Sequence, residues 1–337
     1  MDATMRAWAV DRPGPVAGGP VRLLERTVPR PGAGEVLVQV EACGVCRTDV
    51  HLAEGDLQPR HPGVVPGHQV VGMVVETGPA TQRFAIGDRV GIAWLRRTCG
   101  ECRWCRDGKE NLCPRSEYTG WDADGGFAEY AVAPAAYAYG LPATLSAEQA
   151  APLLCAGIIG YRALKRARVP AGGRLGLYGF GSSAHLTAQV ALASGAELHV
   201  MTRGEENREL ARTIGATWVG DAQADPPQRL DAAIVFAPAG ELVPLALAAV
   251  DRGGTVVLAG IHMTDIPALS YHDHLFQERD LRTVASNTRR DGEELLGLAT
   301  RLGLRAQVTT YPFERLDDAL RDVSVGNLGG SAVITLR

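Results

Sequence analysis
Lysine is nearly missing from this chain. Of its 34 basic side chains only Lys109 and Lys165 are lysines, and the rest are arginines. One arginine in a loop therefore says little about function by itself. An excess of positive charge is missing too. The 38 acidic side chains leave a net charge of -4, which argues against a nucleic-acid partner. No run of eighteen apolar residues occurs, so no membrane span is expected. The opening stretch MDATMRAWAV has neither a basic n-region nor an apolar core. No secretory leader is expected there, and a cytoplasmic location follows. No repeat of 20–50 residues and no low-complexity segment occurs, which excludes solenoids and long disordered tracts. What is present is ordinary. With 337 residues, 46% hydrophobic and 21% charged, the chain reads as a soluble globular protein of two domains.

Cysteine is neither scarce nor even in number. There are seven, and four of them fall in TCGECRWCRDGKENLC, at Cys99, Cys102, Cys105 and Cys113. The spacing is C-x2-C-x2-C-x7-C. Thiols in the cytoplasm stay reduced, and an odd count suits disulfide pairing poorly. Four thiolates satisfy a tetrahedral zinc ion completely. Such a closed site has no position left for a substrate, so this zinc is expected to hold a lobe and do no chemistry.

Two grammars share the chain. In the first 150 residues short Val- and aromatic-rich segments at 35–45, 69–78, 89–94 and 126–134 are split by Pro and Gly, as in a β-rich domain. From about residue 145 strands alternate with helices. RLGLYGF, ELHVMTR, DAAIVFA and GTVVLAG are strand-like, and the segments after the first three are helical. This is the alternation of a doubly wound parallel sheet. The tail from about 288 mixes one helix with strands and ends in SAVITL.

The first of those turns carries chemistry. LYGFGSSAHL places Gly179, Gly181 and Ala184 in a G-x-G-x-x-A pattern between a strand and a helix. Gly179 permits the tight turn, Gly181 lets backbone approach a pyrophosphate, and Ala184 allows close helix–strand packing. A dinucleotide site is expected here. The next strand ends in Thr202-Arg203, where NAD-binding chains carry a carboxylate. The missing carboxylate favours NADP(H). NAD(H) is the alternative, with Glu205 or Glu206 as its ribose partner.

The remaining cysteines lie in ACGVCRTDVH and LLCAG, and PGHQ supplies His68. Two thiolates, one imidazole and an open position make an accepted catalytic zinc set. The spacing of the C-x2-C pair Cys43 and Cys46 leaves open which one ligates, and Cys43 can be a small buried apolar side chain. His272 and His274 in YHDHLF are expected to sit in a solvated loop or a subunit contact.

Together GVCRTDVH, GHQVVG, the four-cysteine lobe, GGFAEYAV, LLCAGIIGYRAL and GFGSSAHL resemble the zinc-dependent medium-chain alcohol dehydrogenases, in the family's order, from Met5 to Leu336. The resemblance implies an α/β fold: a GroES-like β-rich catalytic domain at 1–152, carrying the lobe at 99–113, then a Rossmann domain at 153–287 and a return segment at 288–337. It implies Cys46, His68 and Cys155 as catalytic zinc ligands, with Asp49 orienting the imidazole. Thr48 and His51 correspond to a proton relay. Arg47 corresponds to a pyrophosphate contact, and Trp94 and Trp121 to the substrate pocket. Two zinc ions per chain, a nicotinamide cofactor, a small alcohol or aldehyde substrate and a homodimer or homotetramer follow from the same resemblance. The activity implied is reversible hydride transfer between cofactor and a primary alcohol or aldehyde.

The chain departs from the pattern at two places. Gln69 stands where many members carry Glu, and Ser331 lies near the place of the Arg that pairs with it. Losing both avoids an unpaired buried charge. A zinc-free quinone or enoyl reductase of the same superfamily, and a zinc-stabilised binding protein, are the rival readings. Metal content per chain separates them.

Overall fold
The computed structural model describes residues 3–326 and 328–336. Met1 and Asp2, the start of the stretch read for a leader, lie outside the described residues, as do Arg337 and the Asn of NLGGSAVITL. The chain divides into two compact units, 1–155 with 286–296 and 308–337, and 156–285 with 297–307. The expected borders at 152/153 and 287/288 thus differ from those found. Cys155 stays with the first unit, and the second half of the helix Arg289–Leu302 counts with the second.

The first unit is built on a seven-stranded sheet. Its long strand Glu35–Val45 pairs antiparallel with Gln69–Thr77 and with Ser331–Thr335. The strand Tyr130–Pro134 adds to its first half. Alternating β-branched residues explain the pairing, since they pack well on a pleated surface. Val36, Val38 and Val40 are buried, as are Val74, opposite Val38, and Val70, opposite Cys43. The helix Leu316–Val325 buries Leu316, Ala319 and Leu320, the i, i+3, i+4 stripe of an amphipathic helix. Cys43 lies in the same core, fully buried.

The second unit holds a six-stranded, all-parallel sheet. Its spatial order is 218–220, 197–201, 174–178, 230–235, 250–258, 280–283. Numbered along the chain this is 3-2-1-4-5-6, the doubly wound order with its switch point beside the strand Arg174–Tyr178. Leu175, Leu177, Leu198, Val200, Ile234 and Val257 are buried, as strands covered on both faces require. The helix Ser182–Ala193 follows the first strand. From it His185 and Gln189 hold the backbone of 305–307: His185 Nε2 accepts from Gln307 N (3.1 Å), and Gln189 exchanges two hydrogen bonds with Arg305. Among the described residues no helix is long and apolar enough to cross a membrane.

Candidate metal centres and cofactor turn
The strand Glu35–Val45 ends at Cys46, the N-cap of the helix Arg47–Glu54. Asp49, three residues on, returns Oδ2 to the Cys46 amide at 2.9 Å, which closes a capping box. Its other oxygen, Oδ1, accepts from Gly67 N at 3.1 Å and lies 3.4 Å from His68 Nδ1. One carboxylate, 2% exposed, therefore ties the helix start to the PGH turn. Gly67 makes that turn with φ +94°, and a Cβ there would stand 2.8 Å from Phe127 N and 2.9 Å from Cys43 Sγ.

With Nδ1 facing Asp49, His68 turns Nε2 toward two sulfurs, 3.4 Å from Cys46 Sγ and 3.4 Å from Cys155 Sγ. All three donor atoms lie within 4.8 Å of one another. A tetrahedral zinc ion with bonds of about 2.3 Å to sulfur and about 2.0–2.1 Å to nitrogen puts S···N near 3.5 Å. The donor set fits that ion. The electrostatics point the same way. A hydrogen bond with Cys155 and burial push the Cys46 thiol well above its usual range. Burial works to lower the His68 imidazole, but the Cys46 thiolate and Asp49 outweigh it and raise it to about 10. A cation held among these three donors relieves that crowding. Cys43 stands apart from the cluster, its thiol pushed up by burial and by Asp49.

Thr48 is buried and His51 is mostly buried, one turn apart on the same helix. His51 Nδ1 meets Asp56 Oδ2 at 2.8 Å. Arg47 donates Nη1 to Ser324 O at 2.7 Å, at the end of the helix Leu316–Val325. Gln69 lies across Gly44: a Cβ on that glycine would stand 2.7 Å from the Gln69 amide oxygen. Gln69 is 2% and Ser331 5% exposed, so both uncharged replacements are buried.

The four-cysteine lobe is a second donor cluster. The Cys99–Cys105, Cys102–Cys105 and Cys99–Cys113 sulfur separations run from 3.5 to 3.9 Å, against about 3.8 Å across a tetrahedral zinc ion with four thiolates. Backbone amides feed the sulfurs. Cys102 N donates to Cys99 Sγ, and Cys99 N and Arg115 N donate to Cys113 Sγ, each at 3.4 Å. The amides of Cys102 and Glu101 lower the Cys99 thiol to about 6. Glu110 anchors the lobe. It accepts from Arg289 N at 2.7 Å and from the Arg289 guanidinium at 2.8 Å, while that guanidinium stacks on Tyr137 at 4.5 Å.

In the second unit Gly179 takes φ +88°, and a Cβ there would stand 2.9 Å from Ala237 N. Only glycine fits this position. Nothing lies within 4 Å of a Cβ placed on Gly181. Gly181 caps the helix Ser182–Ala193 without any side-chain hydrogen bond. Backbone open to approach at a helix start fits a pyrophosphate. Ala184 is fully buried against the sheet. The ribose end differs from the expectation drawn from sequence. Thr202 is 2% exposed, and its hydroxyl accepts from Phe180 N at 3.2 Å. It braces the glycine turn and is not presented to a ligand. Arg203 is exposed, whereas Glu205 is held by Arg208 (2.9 Å) and Arg212 (2.7 Å).

Trp94 stands edge-on to His68, with centroids 4.9 Å apart, and Trp121 lies parallel to Trp94 at 6.0 Å. Sequence reasoning missed Tyr118, which stacks on Trp94 at 4.9 Å. The short pairing of Leu95 with Tyr118 brings them together. The only signal was an aromatic three residues before Trp121. His272 and His274 lie in an exposed turn, where His274 Nδ1 accepts from Ser270 N. They join no metal-ligand group among the described residues.

Comparison with known proteins agrees with this layout. Residues 32–143 match the alcohol dehydrogenase GroES-like domain, and residues 184–301 match the zinc-binding dehydrogenase model. The chain is 57% identical to a probable alcohol dehydrogenase AdhA of Mycobacterium tuberculosis, over 99% of this chain and 98% of that protein. A cobalt- and zinc-bound thermostable alcohol dehydrogenase from Pyrobaculum aerophilum superposes with a TM-score of 0.90 at 26% identity, covering 99% of this chain and 100% of that one. An NADP-bound zinc-binding dehydrogenase from Sinorhizobium meliloti superposes with a TM-score of 0.88 at 26% identity, with the same coverage.

Proposed function
Since this chain belongs to the zinc-dependent medium-chain alcohol dehydrogenases, we propose a role for each of its site residues. The protein is an oxidoreductase, an alcohol dehydrogenase and aldehyde reductase that uses zinc and a nicotinamide cofactor. Cys46 Sγ, His68 Nε2 and Cys155 Sγ hold the catalytic zinc. Cys99, Cys102, Cys105 and Cys113 hold a second, structural zinc. When bound, zinc supplies a Lewis acid with one open position and the nicotinamide supplies the hydride chemistry. Asp49 fixes the His68 ring through Nδ1, so that Nε2 is the ligating nitrogen. Thr48 Oγ1 accepts the substrate's hydroxyl proton as it gives up its own, and the His51 imidazole takes the displaced proton and releases it to solvent. Trp94 and Trp121 wall the substrate, a primary alcohol or aldehyde. Gly179, Gly181 and Ala184 seat the pyrophosphate, and Arg47 is a further cofactor-binding residue.

NADP(H) is the proposed cofactor. Arg203 is exposed at the end of the second strand and makes no ion pair among the described residues. Glu205 is spent on Arg208 and Arg212. A guanidinium can make charge-assisted hydrogen bonds to a 2'-phosphate, which a carboxylate at this place would repel. The proposal includes a cytoplasmic homodimer or homotetramer. The seven free cysteines suit a reducing compartment.

The observation that carries the reading is the His68 imidazole, fixed by Asp49 on one side and facing two sulfurs on the other. It favours a zinc dehydrogenase over a zinc-free reductase. Metal analysis combined with turnover of benzyl alcohol and benzaldehyde, each with both cofactors, tests it. Two zinc ions per chain and a higher kcat/KM with NADPH are expected. One zinc ion, or no turnover, would overturn the reading, and a preference for NADH would overturn the cofactor assignment alone.

A further inference from the structure
Trp94, Tyr118 and Trp121 form one aromatic surface. Their centroids lie 4.9, 5.8 and 6.0 Å apart, and their planes are within 26° of parallel. The surface begins beside the ligating imidazole, since Trp94 meets His68 edge-on. Each of the three rings is only half-buried, so each keeps open area. The end away from His68 is held in place. Trp121 Nε1 donates to Gln58 O at 2.8 Å, and the Arg60 guanidinium lies over the Trp121 ring, 4.3 Å from its centroid. Asp122 joins the two halves: Oδ1 lies 3.6 Å from Arg60 Nε, and Oδ2 accepts from Tyr118 N at 2.9 Å.

Near-parallel rings offer faces of one orientation, which favours a flat π-system over a shape that only fills volume. A saturated chain must also lose rotamer freedom to lie on them, whereas a conjugated ring has little to lose. The cation over Trp121 is attracted by that ring's quadrupole and resists its rotation. We propose that this surface selects flat, conjugated alcohols and aldehydes, of the benzylic or aryl-allylic class, over saturated ones of equal carbon number. Tyr118 is a specificity-determining residue that stacks on the substrate. Arg60 is a positioning residue that acts through Trp121. The inference rests on the proposed dehydrogenase activity.

The test compares benzyl alcohol with cyclohexylmethanol, which has the same carbon count without a flat ring, on the zinc-loaded enzyme. The ratio of the two kcat/KM values in the parent is set against the ratio in each variant, so that intrinsic reactivity cancels. Tyr118→Leu is expected to lower this ratio about five- to tenfold, through KM for benzyl alcohol, while Tyr118→Phe retains it. Arg60→Ala, at a side chain 59% exposed, is expected to lower the ratio in the same direction, with recovery in Arg60→Lys. Zinc content stays at the parental value in the Arg60 pair. Equal losses for both substrates in Tyr118→Leu and Arg60→Ala, or an unchanged ratio in both, overturn the inference and leave the dehydrogenase reading standing. A zinc-loaded parent that oxidises neither alcohol overturns both.

Discussion

At the scale of single residues, Asp49 has more work than its neighbours. It caps the helix that carries Thr48 and His51, and it holds the PGH turn and the imidazole at once. Asp49→Asn keeps the shape but removes the charge facing His68 Nδ1. Partners of this kind typically contribute 10–100-fold in metal affinity or activity. We expect a drop of that order in kcat/KM, with the four-cysteine zinc retained. Full activity at full zinc occupancy would remove Asp49 from its role. His185 gives a pH prediction. Burial pushes its imidazole below the ordinary value of 6.5, against the opposing pull of the Gly181 carbonyl. Its Nε2 accepts from Gln307 N, so the bonded form is neutral. Below about pH 6.5 the unfolded chain then holds more protons than the native one. The stability that neutral His185 contributes is complete above that value and is lost as pH falls. In urea unfolding from pH 7.5 to 5.5, the advantage of the parent over His185→Gln should shrink. A constant offset between the two would contradict this. Thr202 shows where sequence stops. Its position at the strand end was legible. That its hydroxyl is used by Phe180 N depends on how the neighbouring turn folds back, and nothing in the local pattern records that.

At the scale of elements, the metal-binding lobe is the clearest case of local legibility. Its four cysteines fall within fifteen residues, so spacing alone nearly specifies the donor set. Its anchor was not legible, because Glu110 and Arg289 are 179 positions apart and meet only in the folded unit. The same holds for the aromatic surface, where a two-residue strand brings Tyr118 to Trp94. Cys102→Ser should release one zinc ion and lower Tm while the other zinc stays. Loss of activity with neither loss would mean that the lobe is misassigned. Arg289→Ala leaves Glu110, 9% exposed, without its main donor. Arg289 itself is partly open to solvent, so the cost is about 1–3 kcal/mol, well below that of breaking a fully buried pair. The lobe should then yield its zinc to a chelator faster than in the parent, as read by a colorimetric zinc indicator.

For the whole molecule, the alternation of strands and helices announced the doubly wound unit, and its 3-2-1-4-5-6 order follows the rule for such sheets. The exact division of the chain was less legible. The helix Arg289–Leu302 looks uniform in sequence, yet residues 297–307 pack with the second unit through His185 and Gln189. The two donor clusters differ in a way that should show in the intact protein. Cys46, His68 and Cys155 offer three ligands, and the tetrahedral ion they fit keeps a fourth position where a small chelator can attach. The lobe offers four thiolates that close the coordination sphere. Zinc should therefore leave in two phases when a chelator is added to the loaded enzyme. The first should carry away activity with little change in Tm, because the sheet core around Val38, Val70 and Phe127 does not depend on that ion. The second should be slower and should lower Tm, because the lobe has few buried apolar residues of its own. Zinc release followed by indicator absorbance, with activity and Tm sampled along the time course, reads both phases. If Tm fell in step with activity in the first phase, the division into one chemical and one structural ion would be wrong.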